Sequence, residues 1–387
     1  MSATTSLGLD GTVVAQTRLG AIDGIGGRLA YSGYDIHDLA TQASWEEVTY
    51  LLWNGDLPNG SQLAELKVRL AAERALSGEA LAMLRRLPTS GHGMDGLRTA
   101  VSALGQADAQ LSATLQPDAV LAQGLRLTAI VPTLLTAWIR LRAGQEPIAP
   151  DPALGHAANL LYMLHGKRPD EAAERALDTY LVLLAEHGLN VSTFVARVVA
   201  SAQNDLCSAI TAAVAALKGI SHGGANEHAM RAFLEIGEPE RAADYIEGVL
   251  ARKGRLMGVG HRIYKVEDPR VRHLRRHSLA LSERPMGQHV VPDGQRAHAT
   301  AEQVGALVLE HPHFQSRSLF PNVEFYSAPL LYQLGFPLDT FTAAFACARM
   351  PGWVAHIREQ LDVNRLVRPE AEYVGERPRA FVGLEAR

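Results

Sequence analysis

Three short segments bring a histidine or a carboxylate next to glycine, asparagine or arginine. They are SHGGANE at 221–227, GVGHRIYK at 258–265 and PNVEFYS at 321–327, centred on His222, His261 and Glu324. Two imidazoles and one carboxylate are a minimal set for taking a proton from carbon while delivering one to oxygen. The arginines around them point to an anionic second reactant. The first expectation is an enzyme that acts on carbon acids.

Each residue also has a plainer reading. His222 lies between a serine and a Gly-Gly pair, where backbone can approach a ligand closely, yet a single histidine is more often a core or turn residue. Its neighbours Glu227 and His228 fit neither HExxH nor HxxEH, which argues against a metal. Gly258 and Gly260 form a GxG without the third glycine of a dinucleotide fingerprint or the Gly-Lys-Ser/Thr of a P-loop. Followed by Lys265 and Arg270, that loop could turn a histidine and two cations toward one ligand. Glu324 sits between Val323 and an aromatic pair. Burial there would raise its pKa and make it a base near neutrality; the alternative is an acidic residue opening a helix behind an Asn cap. His187 adds a third imidazole, with Asn190 and Ser192 close enough to set the tautomer of a neighbouring ring, or else it is a core histidine at a helix end. Arg349 is the sole formal charge between Asp339 and Arg358. Its segment reads as a buried helix with Asp339 as N-cap, ended or kinked near Pro351. A guanidinium there is costly unless paired, so it forms either a buried salt bridge or a receptor for an anionic substrate.

The elements that must carry these residues are helical. Leu177, Tyr180, Leu181 and Leu184 keep three-and-four spacing, as do Phe194, Val198 and Val199, while strict alternation is scarce. Breaks fall at 91–93 (GHG), 149–152 (APDP) and 166–169 (GKRP). One stretch departs from the average: nine lysines and arginines lie between Arg252 and His277, opposed only by Glu267 and Asp268. Such a run is ordinarily a solvated helix face; its overlap with His261 also suits a phosphorylated, polyanionic ligand.

Composition narrows the class. The 387 residues are 47% hydrophobic and 20% charged, as in a globular protein with ample core. A formal net charge of −4 argues against a dedicated nucleic-acid binder. Two cysteines, Cys207 and Cys347, make no disulfide framework and fit no zinc spacing, which suits a reducing cytoplasm. The first residues carry no export pattern, and the apolar stretch around 129–139, interrupted by Pro132, reads as too short to cross a bilayer. A soluble, cytoplasmic protein is expected.

Taken in order, these segments resemble the citrate synthase family over nearly the whole chain. GVGHRIYKVEDPR at 258–270 is similar to the family pattern G-x-G-H-x-[IV]-Y-[KR]-x-x-D-P-R, and SHGGANE at 221–227 to L-H-G-G-A-N-E. Residues 186–194 resemble D-H-x-x-N-A-S-T-F, residues 27–36 resemble G-x-L-x-Y-R-G-Y-x-I, and residues 368–375 resemble R-P-x-x-x-Y-x-G. The resemblance implies an all-α fold with a large helical domain (1–223 and 336–387) and a smaller one (224–335) that closes over the substrates. It implies condensation of acetyl-CoA with oxaloacetate and hydrolysis of the citryl thioester, with no metal or other cofactor. His222 would act on the thioester carbonyl, Glu324 on the methyl carbon and His261 on the ketone. His187, Asn190, Arg270 and Arg349 would hold oxaloacetate, with Arg368 contributed by the partner of a homodimer. Gly258, Gly260 and Lys265 would face CoA. Close alternatives are 2-methylcitrate synthase, using propionyl-CoA, and a weakly active ligand-sensing paralogue.

The departures from the family are specific. Its usual base is aspartate, whereas this chain has Glu324, longer by one C–C bond of about 1.5 Å. A misplacement of about 1 Å can cost on the order of 100-fold in rate, so the backbone must retreat or the enzyme is slow or specialised. Ser221 stands where an apolar residue is common, and Ser32 where arginine is frequent.

Overall fold

The computed structural model describes residues 7–9, 11–285, 290–376 and 379–386. A small antiparallel sheet comes first, formed by β1 (Gly20–Asp23), β2 (Arg28–Tyr31) and β3 (Tyr34–Asp35), with Gly20 opposite Tyr31 and Ala30 opposite Asp35. Helices follow without interruption by further strands among the described residues. The first group is α1 (Ile36–Gln42), α2 (Trp45–Asn54), α3 (Gly60–Ala72), α4 (Gly78–Leu84), α5 (Gly93–Ala107) and α6 (Val120–Arg142). Next come α7 (His156–His165), α8 (Glu171–Leu184), α9 (Val191–Ser201) and α10 (Leu206–Leu217). The remainder are α11 (Ala225–Ile236), α12 (Ala242–Ala251), α13 (Val271–Ser282), α14 (Gly294–Glu310), α15 (Pro312–Gln315), α16 (Val323–Gln333) and α17 (Phe341–Val363). The fold is all-α apart from the sheet, whose β2 and β3 lie in the 27–36 motif and which was not signalled by alternation.

The predicted breaks coincide with chain reversals that have local causes. His92 caps α5, Gly166 ends α7 in the left-handed region at φ 77°, and Asp170 caps α8 by accepting from the Ala173 amide. Each such cap contributes on the order of 1 kcal/mol. Two helices organise the packing. α17 lies against α2, α5, α6, α8 and α9, and α16 against α11, α13 and α14; α8 touches both.

Three sequence expectations change. Pro351 does not end α17, which continues to Val363 because it is buried on nearly every side; the Pro351 carbonyl is met by the Trp53 indole at 3.1 Å. Thr340, not Asp339, precedes α17, and Asp339 instead pairs with Arg142 at 2.7 Å. α6 spans 23 residues through Pro132 and is long and apolar enough to cross a membrane, but its most apolar window is 78% buried against neighbouring helices. That places it as a core helix.

The sheet is not peripheral to the chemistry. The turn between β1 and β2 rests on the segment after His261: the Lys265 amide donates to the Gly24 carbonyl at 2.8 Å. A Cβ at Gly24 would come within 2.4 Å of the Ile263 carbonyl oxygen. On the opposite side, Gly352 lets α17 approach the end of α8, since a Cβ there would lie 2.2 Å from the Ala185 oxygen. Overpacking of this kind typically costs about 1–3 kcal/mol. Gly352→Ala is therefore expected to lower the thermal midpoint by several degrees in calorimetry, and an unchanged midpoint would contradict this packing.

Candidate active site

The histidine loop and the start of α16 are bound into one unit. Gly258 and Gly260 have φ of +80° and +89°, where side chains are disfavoured. The Asn322 amide donates to the Gly258 carbonyl at 2.9 Å, the Gly260 amide to the Phe320 carbonyl at 2.7 Å, and the Asn322 side chain to the Gly260 carbonyl at 2.7 Å. A Cβ on Gly258 would sit 2.9 Å from the Phe325 Cα. The two glycines thus allow the loop to lie directly against α16. His261 is held by the amides of Ile263 and Tyr264, both donating to Nδ1, at 3.0 and 3.1 Å. An imidazole nitrogen that accepts carries no proton, so the proton of neutral His261 is on Nε2. Burial, then the nearby Arg270, pushes its pKa down to about 4.

Glu324 is the second residue of α16, and Asn322 caps that helix by accepting from the Glu324 amide at 3.0 Å. Asp268 also accepts from the Val323 amide at 3.3 Å while holding Arg270 with a two-point grip of 2.9 and 2.7 Å. Among the described residues, no side chain hydrogen-bonds the Glu324 carboxylate. Its burial raises its pKa to about 7, against the opposing pull of Arg270 and Arg349. A carboxylate in this position changes charge near neutrality, as the sequence setting suggested.

His222 stands in the turn before α11, facing the first turn of α9. The Ser192 amide donates to its Nε2 at 3.3 Å, and the Ser192 hydroxyl lies 2.9 Å away. Ser192 Oγ accepts from the Trp353 indole at 3.2 Å, so its own proton is available to His222 or to Asn190, whose Oδ1 is 2.8 Å distant. Acceptance at Nε2 leaves the proton of His222 on Nδ1. Burial and Arg349 push this pKa down to about 4 as well. Two histidines on separate elements are therefore neutral hydrogen-bond donors at ordinary pH, each oriented by a backbone amide.

Arg349 decides what lies beside them. It is 1% exposed and forms no salt bridge among the described residues; its Nε donates to the Leu184 carbonyl and its guanidinium stacks over Phe345 at 4.9 Å. Its Nη1 is buried with no partner. The sequence left open a buried salt bridge or an anion receptor, and the unmet donor favours the receptor. His187 completes the floor: it packs edge-on to His261 at 5.5 Å, its Nε2 lies 3.2 Å from the Tyr264 hydroxyl, and burial, with Arg270 next, drives its pKa well below the ordinary value. Arg349 interacts electrostatically with Glu324 and Arg270, and His222 and His187 with Arg349. Residues from 187 to 349 thus share one electrostatic neighbourhood.

Three sequence candidates stand differently. Asn190 uses its Oδ1 to cap α9 and to meet Ser192, and its Nδ2 turns back to the Gly188 carbonyl, so within this chain it braces His222 through Ser192. Lys265 is exposed, with Nζ near the Arg262 carbonyl at 3.3 Å. Arg368 is exposed in the extended segment after α17. Sequence reasoning passed over Trp353, Phe345 and a buried chain in which Glu186 accepts from His356 Nε2 at 3.1 Å and Arg197 donates to His356 Nδ1 at 3.2 Å. For Arg197 and His356 the signal was a polar residue within an apolar helix.

The family model for the citrate synthase C-terminal domain matches residues 8–370. The chain belongs to the citrate synthase family. It is 41% identical to the citrate synthase of Haloferax volcanii, with 100% of both chains covered. It is 40% identical to the 2-methylcitrate synthase of Mycobacterium tuberculosis H37Rv, over 97% of this chain and 92% of that one. A ternary complex of carboxymethyl coenzyme A and oxaloacetate with the citrate synthase of Thermoplasma acidophilum superposes with a TM-score of 0.90 at 30% identity, covering 98% of each chain. Against the citrate synthase pattern, glutamate replaces aspartate twice, at Glu186 and Glu324, and both act on Arg349.

The tautomers are open to direct observation. Imidazole nitrogen NMR should show His261 protonated on Nε2 and His222 on Nδ1, both remaining neutral down to about pH 5, since their pKa values near 4 admit charge only below that. Titration of either ring near its ordinary value would contradict the described environment.

Proposed function

We propose that the protein condenses acetyl-CoA with oxaloacetate and hydrolyses the resulting thioester, releasing citrate and CoA. The observation that carries this reading is the grouping of a near-neutral carboxylate, two neutral imidazole donors and a buried arginine with an unmet bond. Glu324 takes a proton from the methyl carbon of the thioester while His222 donates a hydrogen bond from Nδ1 to its carbonyl oxygen. Charge is met where it develops, so no free enolate accumulates. His261 donates from Nε2 to the ketone of oxaloacetate and raises its electrophilicity. Arg349, Arg270 and His187 hold the carboxylates, with planar forks suited to that shape. No metal or resident cofactor enters this scheme, and the CoA thioester is a substrate.

The remaining assignments belong to the same proposal. Gly258, Gly260, Lys265 and the basic stretch after it serve CoA, and Asn190 keeps the Ser192–His222 contact in register. Residues 224–335 form the smaller domain, which closes and excludes water until carbon–carbon bonding is complete. A homodimer places Arg368, which is exposed in this chain, in the site of the partner subunit. A cytoplasmic location fits the cysteine usage. Propionyl-CoA is the second acyl donor to consider, supported by the similarity to a 2-methylcitrate synthase. One methylene changes specificity by only about 1–3 kcal/mol.

Oxaloacetate-dependent thiol release, compared between acetyl-CoA and propionyl-CoA, tests the reading directly, and acetyl-CoA is expected to be preferred. No turnover with either donor, despite oxaloacetate binding, would point to a sensing protein. Glu324→Gln is expected to abolish turnover while oxaloacetate affinity stays nearly intact; lost affinity would assign Glu324 to binding. Because the base must be ionised, kcat should fall as pH drops through about 7, with no second loss from the histidines until near pH 4. A flat profile between pH 6 and 8 under chemistry-limited conditions would contradict the base assignment.

A further inference from the structure

A buried run of polar side chains leads from Arg197 through His356 to Glu186, the residue before His187. Glu186 lies just after α8 and is fully buried, as is His356 on α17. Both Glu186 carboxylate oxygens stand 3.1 Å from His356 Nε2, and Oε1 also accepts from the Gly188 amide. Among the described residues, no lysine or arginine forms a salt bridge with this carboxylate. A buried carboxylate is costly unless partnered, so these bonds decide where it sits. Backbone closes on it from two sides. A Cβ on Gly20 would fall 2.9 Å from Oε1, and one on Gly352 would fall 3.0 Å from Oε2.

The direction of the histidine bond follows from the other side of the ring. Arg197 Nη1 lies 3.2 Å from His356 Nδ1, and a guanidinium can only donate. Nδ1 therefore accepts, the ring proton is on Nε2, and Nε2 donates to Glu186. Arg197 is itself held by Gln360 and Glu359 of α17, each at 3.2 Å.

This chain ends on the backbone that carries a substrate ligand. Glu186 Oε1 links the residues on either side of His187, and Gly188 takes φ +58° to complete the turn. α17 grips the segment twice. Arg349 Nε donates to the Leu184 carbonyl, and His356, about two helical turns further on, donates to Glu186. Arg349 and the turn holding His187 are thus set in register by one helix.

We propose that His356 is a positioning residue for His187, its Nε2 proton fixing the Glu186 carboxylate and so the turn that presents His187 to oxaloacetate. The inference rests on the reading that His187 holds oxaloacetate. An apolar side chain at 356 would fill the core as well, but it would leave the carboxylate without this donor.

Paired substitutions in the full-length enzyme test it. The amide of glutamine reaches the position of Nε2, whereas that of asparagine stops at the position of Nδ1. His356→Gln therefore keeps a donor for Glu186, and His356→Asn keeps only the contact with Arg197. With acetyl-CoA saturating, His356→Asn is expected to raise the oxaloacetate KM about 10-fold or more, as loss of a charge-assisted hydrogen bond would. His356→Gln should stay within about threefold of the parent enzyme, and the acetyl-CoA KM within about twofold in both. An unchanged oxaloacetate KM in His356→Asn, even with a lowered thermal midpoint, would overturn the proposal, because a merely structural role predicts that result. Equal losses in the two variants would overturn it too, since the Nε2 donor would then be irrelevant. In a His187→Ala background His356→Asn should cost little further; an undiminished cost would exclude action through His187. Imidazole nitrogen NMR of the unaltered enzyme needs no variant to fold. It should show His356 protonated on Nε2 alone, and a proton on Nδ1 would overturn the proposal. His187→Ala separates the two readings. If it leaves the oxaloacetate KM unchanged, the assignment of His187 and this inference fall together. If it raises that KM while His356→Asn does not, this inference alone falls.

Discussion

A charged guanidinium taken out of water must be matched by partners, and Arg349 is matched only in part. Its Nε meets a carbonyl and its plane meets Phe345, but Nη1 is left with nothing to bind. Such a group is tolerated because α17 is itself buried and held from several sides by other helices. The charge on Arg349 also acts on the titratable groups around it. Arg349 lowers the pKa of His222 and opposes the rise at Glu324.

The protonation states follow from the same low-polarity setting. Burial penalises charge on both kinds of group, so it drives histidines toward neutrality and the carboxylate toward protonation. The outcome is two imidazoles that donate without carrying charge and a carboxylate poised near 7. Backbone amides then choose which nitrogen donates. Those of Ile263 and Tyr264 do so for His261, and that of Ser192 does so for His222. Neither choice depends on side-chain chemistry alone.

The segment that carries Glu324 is fixed by local architecture. Asn322 is tied to both Gly258 and Gly260, and Asp268 links Arg270 to the first turn of α16. The β1–β2 turn presses on the far side of the histidine loop, where Gly24 leaves room for the Ile263 carbonyl. These contacts hold the His261 loop, Arg270 and Glu324 as one piece.

Much of this was legible beforehand. Helical spacing predicted α8, and the Gly-Lys-Arg-Pro cluster at 166–169 predicted the break before it, because these depend on neighbours within a turn or two. The motifs around His222, His261 and Glu324 were legible for a similar reason: their glycines and caps act locally. The small sheet escaped notice because its strands are only two to four residues long. The spacing of Phe194, Val198 and Val199 predicted α9 but not which face is most buried: Ser192, Thr193 and Arg197 are buried, whereas those three are only partly so. Pro351 was read as an end or a kink because a lost hydrogen bond is visible in sequence, whereas the packing that carries α17 on to Val363 is not. Sequence by itself determined which residue types are present and how each short segment bends. Only tertiary structure decided that Arg349 lacks a salt bridge among the described residues and that both histidines are neutral, because burial and partnership are properties of groups far apart along the chain.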